Sequence, residues 1–446
     1  MRRTPPQSLD GPPQLPPNLS FVLNLSPSAM TLGLANMRKL LDALGHPERG
    51  FDSVIIAGTN GKGSVSSYLA AILRTHGLRV GLYTSPHIYS VNERITIDGD
   101  PVSIDRMEAA AARIAPLYDS IGYSYFEALT AIAYLAFDES GVEIAVLETG
   151  LGGRFDATNV VEPRVSVLTG ISLDHRRILG DTEEEILREK LGITRPRVPL
   201  VCGVLPPDLR QIVEDKADRE KIPLCMTQDT GSAEPRRQSF EGASAAIQTE
   251  TQDYGDIPLP FLGTHQLGNA LVAVRTAEFL VDPLDRLNAA AGLVYMPGRF
   301  EVVPFAGKTM VLDVAHNDQA LTAAVKTLES LSPREENAMI LGILRRKELQ
   351  GFPREIAAHV GGLVLVESVV GESHTAPQLL QRIGLENCAQ KSLNVTLESP
   401  LASERMVVNL VRRLTSETSL FNAFLITGSH RTVEVFGRAL HRLEAN

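Results

Sequence analysis

The sequence predicts an α/β protein of two units, each with a mostly parallel sheet. Three observations predict it. Short apolar runs alternate with helix-length segments along the chain. The first of these runs, Val54-Ile-Ile-Ala57, leads through Gly58-Thr-Asn-Gly-Lys-Gly-Ser64 into a helical pattern, which is the order strand, glycine-rich loop, helix. Past Pro297-Gly-Arg-Phe-Glu301 the alternation restarts, so residues 297–301 read as a joint between units spanning 19–296 and 302–446.

Taken in order, residues 1–18 are proline-rich and read as a disordered or extended leader outside the fold. Residues 29–45 form a first helix, with Met37, Leu40, Leu41 and Leu44 on one face and Gly45 ending it. In the loop after the first strand, Gly58, Gly61 and Gly63 allow the backbone to turn back and gather its N–H groups. Val65, Leu69, Ile72 and Leu73 then share a helical face that Gly77 terminates. The helix N-terminus carries roughly half a positive charge and Lys62 adds a full mobile one, which together make an anion cradle. The common phosphate-loop spacing is not met, because Ile56 and Gly63 stand where it requires Gly and Ser or Thr.

Leu78–Tyr83 reads as a strand, followed by Thr84-Ser-Pro-His87 and a hairpin turning at Asp98-Gly99. Helices are expected over 103–116 and 125–139, and strands over 143–147, 165–168 and 198–202. Thr182 has the position of an N-cap for the acidic helix that bears Glu189 and Lys190. Residues 227–256 are polar with weak alternation and read as loop, ahead of a helix over 267–281. In the second unit strands are expected at 309–313, 338–342, 362–366 and 423–427.

Composition narrows the function. The chain has 446 residues, 43% of them hydrophobic and 22% charged, an ordinary balance for a globular protein. A net charge of −10 argues against a broad nucleic-acid surface but allows a local basic pocket. Cys202, Cys225 and Cys388 lack metal-type spacing, and no apolar stretch is of membrane-spanning length. These features point to a cytoplasmic protein with no nucleic-acid or membrane partner.

In an open α/β sheet, ligands gather beyond the carboxyl ends of the strands. Ser85, Glu148, Asp174 and His175 all follow predicted strands. Singly, each also reads as a turn, cap or loop residue. Together, a hydroxyl, a carboxylate and an imidazole can hold Mg²⁺ with nucleotide phosphate oxygens and water completing the shell.

These segments resemble the folylpolyglutamate synthases and dihydrofolate synthases of the Mur-type amide ligases. The likeness runs from about residue 31 to 436. It is carried by the Gly58–Ser64 loop, Thr84-Ser-Pro-His87, Tyr125-Phe-Glu127, Glu148-Thr-Gly-Leu-Gly-Gly-Arg-Phe-Asp-Ala-Thr-Asn159 and Leu173-Asp-His175. Glu189-Lys190, His265-Gln266 with Asn269, Pro297–Glu301 and Leu312-Asp-Val-Ala-His-Asn317 complete it. The resemblance implies a P-loop-type ATPase domain followed by a smaller Rossmann-like domain. It implies a monomeric, ATP- and Mg²⁺-dependent carbon–nitrogen ligase with two metal sites. Its substrates would be L-glutamate and either dihydropteroate or a reduced folate, joined through an acyl phosphate. A Mur-type cell-wall amino-acid ligase is the alternative.

By the same resemblance, Asn60, Gly61, Lys62, Gly63 and Ser64 hold nucleotide phosphates, and Asn269, Arg299 and Asp313 contact the nucleotide. Ser85, Glu148 and His175 ligate magnesium, joined by Lys190 once carbon dioxide has converted it to a carbamate. His316 is the active-site histidine of the second domain, so Lys62, His175, Lys190 and His316 form the catalytic set. Thr31, Leu32 and Gly33, Ser124, Tyr125, Phe126 and Glu127, and Phe155, Asp156 and Ala157 line the pterin-side pocket. On composition alone Tyr125 and Phe126 read as core aromatics. The sequence departs from the family where Asp318 replaces the usual Pro, where Arg346-Lys347-Glu348 replaces Asp-Lys-Asp, and at His430-Arg431. Those changes bear on acceptor range and chain length.

Overall fold

The computed structural model describes residues 15–25, 33–345, 347, 358–383, 394–398, 400–416 and 419–444. The chain divides into two compact units, Met1–Arg236 with Ser244–Pro260 and Gln266–Tyr295, and Arg237–Ala243 with Phe261–His265 and Met296–Asn446. Residues 237–243 and 261–265 therefore group with the second unit, although the sequence reading placed them in the first. The reason is apolar: Leu262 is buried in the second unit's core, and Phe240 and Ala243 pack against it.

The first unit is organised around eight strands. In chain order these are β1 (Asp52–Ala57), β2 (Val80–Tyr83), β3 (Ile95–Ile97), β4 (Asp100–Pro101), β5 (Ile144–Glu148), β6 (Val165–Leu168), β7 (Leu200–Cys202) and β8 (Leu224–Met226). They lie side by side in the order β4-β3-β2-β5-β1-β6-β7-β8. The six strands from β2 to β8 in that order are mutually parallel, and β3 runs antiparallel to both β2 and β4. The expected mostly parallel α/β sheet is present. Its central strand is fully buried beyond Asp52 because Ser53–Ala57 are covered on both faces.

Helices Lys62–Thr75 and Tyr125–Glu139 each bury eleven residues, which explains why their apolar positions extend well past one stripe. One core joins the second of these to Ile104–Ile114 and to Met37, Leu40 and Leu41 of Ala35–Leu44. A separate core packs Ile186 and Leu187 and the apolar side of Pro207–Glu220 against β6, β7 and β8.

Several expectations need correction. Part of the leader belongs to the fold: Leu15 packs on the core, and Pro17–Leu23 is a helix that buries Leu19 and Val22. Glu108 holds its N-terminus, accepting from Leu19 N at 2.8 Å and Asn18 Nδ2 at 2.7 Å. A carboxylate from a neighbouring helix here does the work of an N-cap, which no local pattern reveals. The first predicted helix begins at Ala35, after a bend at Gly33-Leu34; residues 26–32 lie outside the described set. Polar residues 227–256 form β9 (Gly231–Ser239), β10 (Gly242–Thr249) and the start of β11 (Asp253–Leu259), a three-stranded sheet. The alternation was faint because only Ala245, Ile247, Thr249, Ile257 and Leu259 turn inward.

In the second unit the strands are β12 (Glu301–Phe305), β13 (Lys308–Leu312), β14 (Asn337–Leu341), β15 (Gly362–Leu365), β16 (Asn394–Leu397) and β17 (Ala423–Thr427). Their order is β12-β13-β17-β14-β15-β16, parallel except for β12. Glu301, read as the end of a joint, instead opens β12 and pairs with Leu312.

Candidate active site

Strand order does most of the positioning. β2, β5, β1 and β6 are consecutive and parallel, with Tyr83 opposite Leu147, Ile56 opposite Glu148, and Ala57 opposite Leu168. Their following segments, 84–87, 148–159, 58–64 and 169–175, therefore emerge along one edge of the sheet.

The glycine-rich loop is pinned onto the segment after β6. Thr59 N donates to Gly170 O at 2.8 Å, Thr169 Oγ1 donates to Asn60 O at 2.6 Å, and Asn60 Nδ2 donates to Ser172 Oγ at 3.3 Å. Gly61 has φ of 84°, and a Cβ there would sit 2.4 Å from Asn269 Oδ1. The loop thus needs glycine both for its backbone and for the approach of Asn269. Asn269 is oriented in turn by donating to Gln266 Oε1 at 2.8 Å. Helix Lys62–Thr75 starts immediately after, so Gly63 and Ser64 lie in its first turn, where N–H groups lack intrahelical partners.

Two lysines converge on this loop. Lys62 Nζ donates to Gly58 O at 3.0 Å and to Thr59 O at 3.3 Å. Lys190 Nζ, from the last residue of helix Glu183–Lys190, donates to the same Gly58 oxygen at 2.8 Å. That helix is fixed by the expected cap: Thr182 and Glu185 form a reciprocal capping box. Lys190 is only 4% exposed. Burial first and the Lys62 charge second lower its amine to about 7, against the smaller upward pull of Asp174 and Asp156. A buried lysine beside another cation is a poor structural choice and a good source of a neutral amine.

Glu148 is 2% exposed at the tip of β5, and its Oε2 accepts the backbone N–H of Ser85 at 3.0 Å. Ser85 and Glu148 are thereby brought together. His175 follows β6 in a left-handed conformation with φ of 53°, its amide donating to Asp174 Oδ1 at 2.8 Å. Its imidazole is 45% exposed, with Nε2 3.8 Å from Asp174 Oδ2. Among the described residues no group of three or more His, Cys, Asp or Glu is disposed to hold a metal ion. The donor set is instead sparse in carboxylates.

The segments expected to line a substrate pocket adjoin one another. Asn36 Nδ2 donates to Gly122 O at 3.1 Å, which ties the chain after Gly33 to the approach of helix Tyr125–Glu139. The Phe126 ring lies 2.5 Å from where a Cβ on Gly150 would stand, so only glycine lets the 150–157 loop pass. Thr31 and Leu32 lie outside the described residues. Ser124 and Glu127 form a capping box, with Ser124 N donating to Glu127 Oε2 at 2.7 Å. Asp156 is buried, and its carboxylate accepts from Leu151 N at 2.8 Å, Thr158 N at 3.0 Å and Thr158 Oγ1 at 2.6 Å. Burial raises its affinity for a proton while those donors oppose the rise. Ser124, Glu127, Asp156 and Ala157 are all buried. Tyr125 and Phe126 are half-buried on the core, as composition suggested, whereas Phe155 is 47% exposed.

One buried residue escaped the sequence reading. Arg94 is buried, donates from Nε to His87 Nδ1 at 2.9 Å and lies over the Tyr125 ring. A lone arginine before a strand gave no signal for this. Asp174, expected among the residues that follow the strands, also acts on the Lys190 amine.

In the second unit, Asp313 accepts from Phe300 N and Ala315 N, both at 2.8 Å. Burial raises its proton affinity, opposed first by Arg299. The His316 ring approaches Val314 O at 2.9 Å through Nδ1; a carbonyl can only accept, so Nδ1 carries the proton. Asn317 N-caps the next helix through Ala320 N at 2.9 Å. Asp318 takes the first helical position, where an acid complements the helix dipole and proline is equally suited. Arg346 and Glu348 lie outside the described residues. His430 and Arg431 open helix His430–Glu444, with Arg431 paired to Glu434 at 2.7 Å.

Residues 56–277 match the family model for the Mur ligase middle domain, and residues 298–412 that for the Mur ligase glutamate ligase domain. Over 337 residues the chain is 34% identical to dihydrofolate synthase/folylpolyglutamate synthase of Bacillus subtilis, spanning 73% of this chain and 78% of the relative. The chain belongs to the dihydrofolate synthase/folylpolyglutamate synthase family. Folylpolyglutamate synthase of Lacticaseibacillus casei is 32% identical, over 82% of this chain and 86% of its own. Among solved structures, Mycobacterium tuberculosis folylpolyglutamate synthase complexed with ADP and AMPPCP superposes with a TM-score of 0.81 at 30% identity, covering 92% and 95% of the two chains. The Escherichia coli protein FolC in complex with DHPP and ADP gives 0.79 at 27%, covering 96% of each. The fold class expected from the sequence is that of this family.

Proposed function

We propose that the protein is an ATP-dependent ligase that adds L-glutamate to dihydropteroate, to the γ-carboxylate of reduced folates, or to both. The observation that carries this reading is the meeting of the Lys62 ammonium and the buried Lys190 amine on Gly58 O, at a loop that also presents helix N–H groups. A carboxylate oxygen attacks the γ-phosphorus of ATP, ADP leaves, and an acyl phosphate forms. The glutamate amine, having lost its ammonium proton, then attacks the acyl carbon; phosphate leaves as the amide forms. Both steps press anions together, so fixed cationic groups serve them best.

Lys62 and the amides of Asn60, Gly61, Gly63 and Ser64 are assigned to the phosphates, with Asn269 beside them. Arg299 and Asp313 are assigned to the nucleotide on the second unit. With Nδ1–H held by Val314 O, any proton His316 takes up goes to Nε2. Ser85, Glu148 and His175 are assigned to Mg²⁺, and because the described residues hold no cluster of three or more His, Cys, Asp or Glu disposed to bind a metal, one more anion would complete the site. A neutral Lys190 amine can supply it: nitrogen bonds to the carbon of CO₂, one C=O π pair moves to oxygen, and the proton leaves. Bound Mg²⁺ would offset charge on the phosphates and the acyl acceptor. No helix of the described residues is long and apolar enough to cross a membrane. The enzyme is read as a cytoplasmic monomer.

The test is ADP release by purified protein with dihydropteroate, tetrahydrofolate or glutamate omitted in turn. Release that requires glutamate and at least one pterin-derived acceptor supports the reading. Release with a UDP-linked sugar acceptor instead would replace it with the cell-wall alternative.

A further inference from the structure

The loop after β5 carries two side chains that its own architecture does not use. Within it, Asp156 clamps the turn from inside through Leu151 and Thr158, and Arg154 N donates to Glu189 O at 2.9 Å. Asn159 Nδ2 donates to Arg154 O at 3.1 Å, so the backbone at Arg154 is held from both sides. On this rigid backbone the Arg154 guanidinium lies 5.9 Å from the centre of the Phe155 ring. The ring is 47% exposed and the arginine side chain 50% exposed. Arg154 has only weak anchors, Glu189 Oε1 at 3.6 Å and Arg188 O at 3.5 Å. An exposed ring and a half-exposed guanidinium on a fixed turn contribute little to stability, since an exposed cation–π pair is worth only about 0.5–1 kcal/mol. They suit a ligand that is both aromatic and anionic.

We propose that Arg154 is a specificity residue that pairs with the α-carboxylate of a glutamyl group already on the substrate, while Phe155 stacks on the adjoining conjugated ring. This rests on the folate-ligase reading above. Dihydropteroate carries no glutamyl group, so its sole carboxylate is the one that reacts. Reduced folates carry an additional α-carboxylate that must be held aside while the γ-carboxylate is activated. Arg154 therefore serves chain extension and not the first addition. Its planar donor fork can engage a carboxylate bidentately, which lysine cannot copy.

The experiment is steady-state kinetics of the full-length protein, comparing Arg154→Ala, Arg154→Lys and Phe155→Ala on dihydropteroate and on tetrahydrofolate. Arg154→Ala is expected to raise KM for tetrahydrofolate about tenfold, equivalent to about 1.4 kcal/mol, with kcat nearly unchanged and KM for dihydropteroate within twofold. Arg154→Lys should recover part of the loss, and Phe155→Ala should raise both KM values. Equal effects of Arg154→Ala on the two acceptors, or none on tetrahydrofolate, would overturn the assignment. If the wild type extends only dihydropteroate, Arg154 has no glutamyl partner and the assignment falls while the ligase reading stands. A wild type inert with both acceptors would instead sink the ligase reading itself.

Discussion

Lys190→Ala is expected to lower kcat by roughly 10³-fold while leaving the protein folded. Lys190 closes helix Glu183–Lys190, whose capping box and whose Ile186 and Leu187 contacts do not involve its amine. Under the proposed assignment, the substitution removes the nitrogen that would bond CO₂ and the anion that would follow from it. With ¹³C-labelled bicarbonate, the wild type should give a carbamate carbon resonance that the variant lacks. Wild-type turnover in Lys190→Ala would refute the assignment.

The same amine makes stability depend on pH in a defined direction. Its pKa is lowered from the ordinary 10.5 to about 7 in the folded protein, mainly by burial. Below pH 7 both folded and unfolded chains hold the proton, and the folded state bears the full cost of a buried ammonium. Between about 7 and 10.5 the folded state has released a proton that the unfolded chain keeps, so this group's contribution to stability rises with pH. Measured without CO₂, Lys190→Met should therefore be more stable than the wild type at pH 6–7 by a margin that fades toward pH 10. A margin independent of pH would mean that the amine is not buried as described.

Glu148→Gln is expected to cost roughly 10²–10³-fold in kcat and to raise the Mg²⁺ concentration needed for half-maximal rate at least tenfold. Glutamine keeps the shape of the side chain and can still accept the Ser85 N–H through its amide oxygen. Charge alone is lost, so thermal unfolding should change by no more than a few degrees. Unaltered turnover and Mg²⁺ response would show that the buried carboxylate serves the β2–β5 junction and not the chemistry.

Much of this organisation was legible because it is local. Val54–Ala57 and Val165–Leu168 are wholly apolar runs of strand length, and Thr182, Ser124 and Gly45 mark helix ends by their own chemistry. The phosphate loop could be read because glycine spacing and a following helix are sequence-adjacent features. What stayed hidden depends on distant partners. The helix at Pro17–Leu23 exists because Glu108, far along the chain, caps it. Strands β9 to β11 turn so few apolar side chains inward that their polar surfaces masked the period. The motif placed Glu127 and Asp156 in pocket-lining segments, and it could not show that their carboxylates also accept from Ser124 and from Leu151 and Thr158. The convergence of Lys62 and Lys190 on one carbonyl oxygen joins residues 128 positions apart, and spacing alone could not have shown it.

The account depends on divalent cations binding where the tips of β5 and β6 meet the phosphate loop. Anomalous diffraction from crystals grown with Mn²⁺ and a non-hydrolysable ATP analogue tests this directly. Peaks about 2.1 Å from Glu148 and His175 oxygen or nitrogen atoms are expected, with a second beside modified Lys190. Manganese bound elsewhere, with the nucleotide in place and both side chains bare of metal, would contradict it.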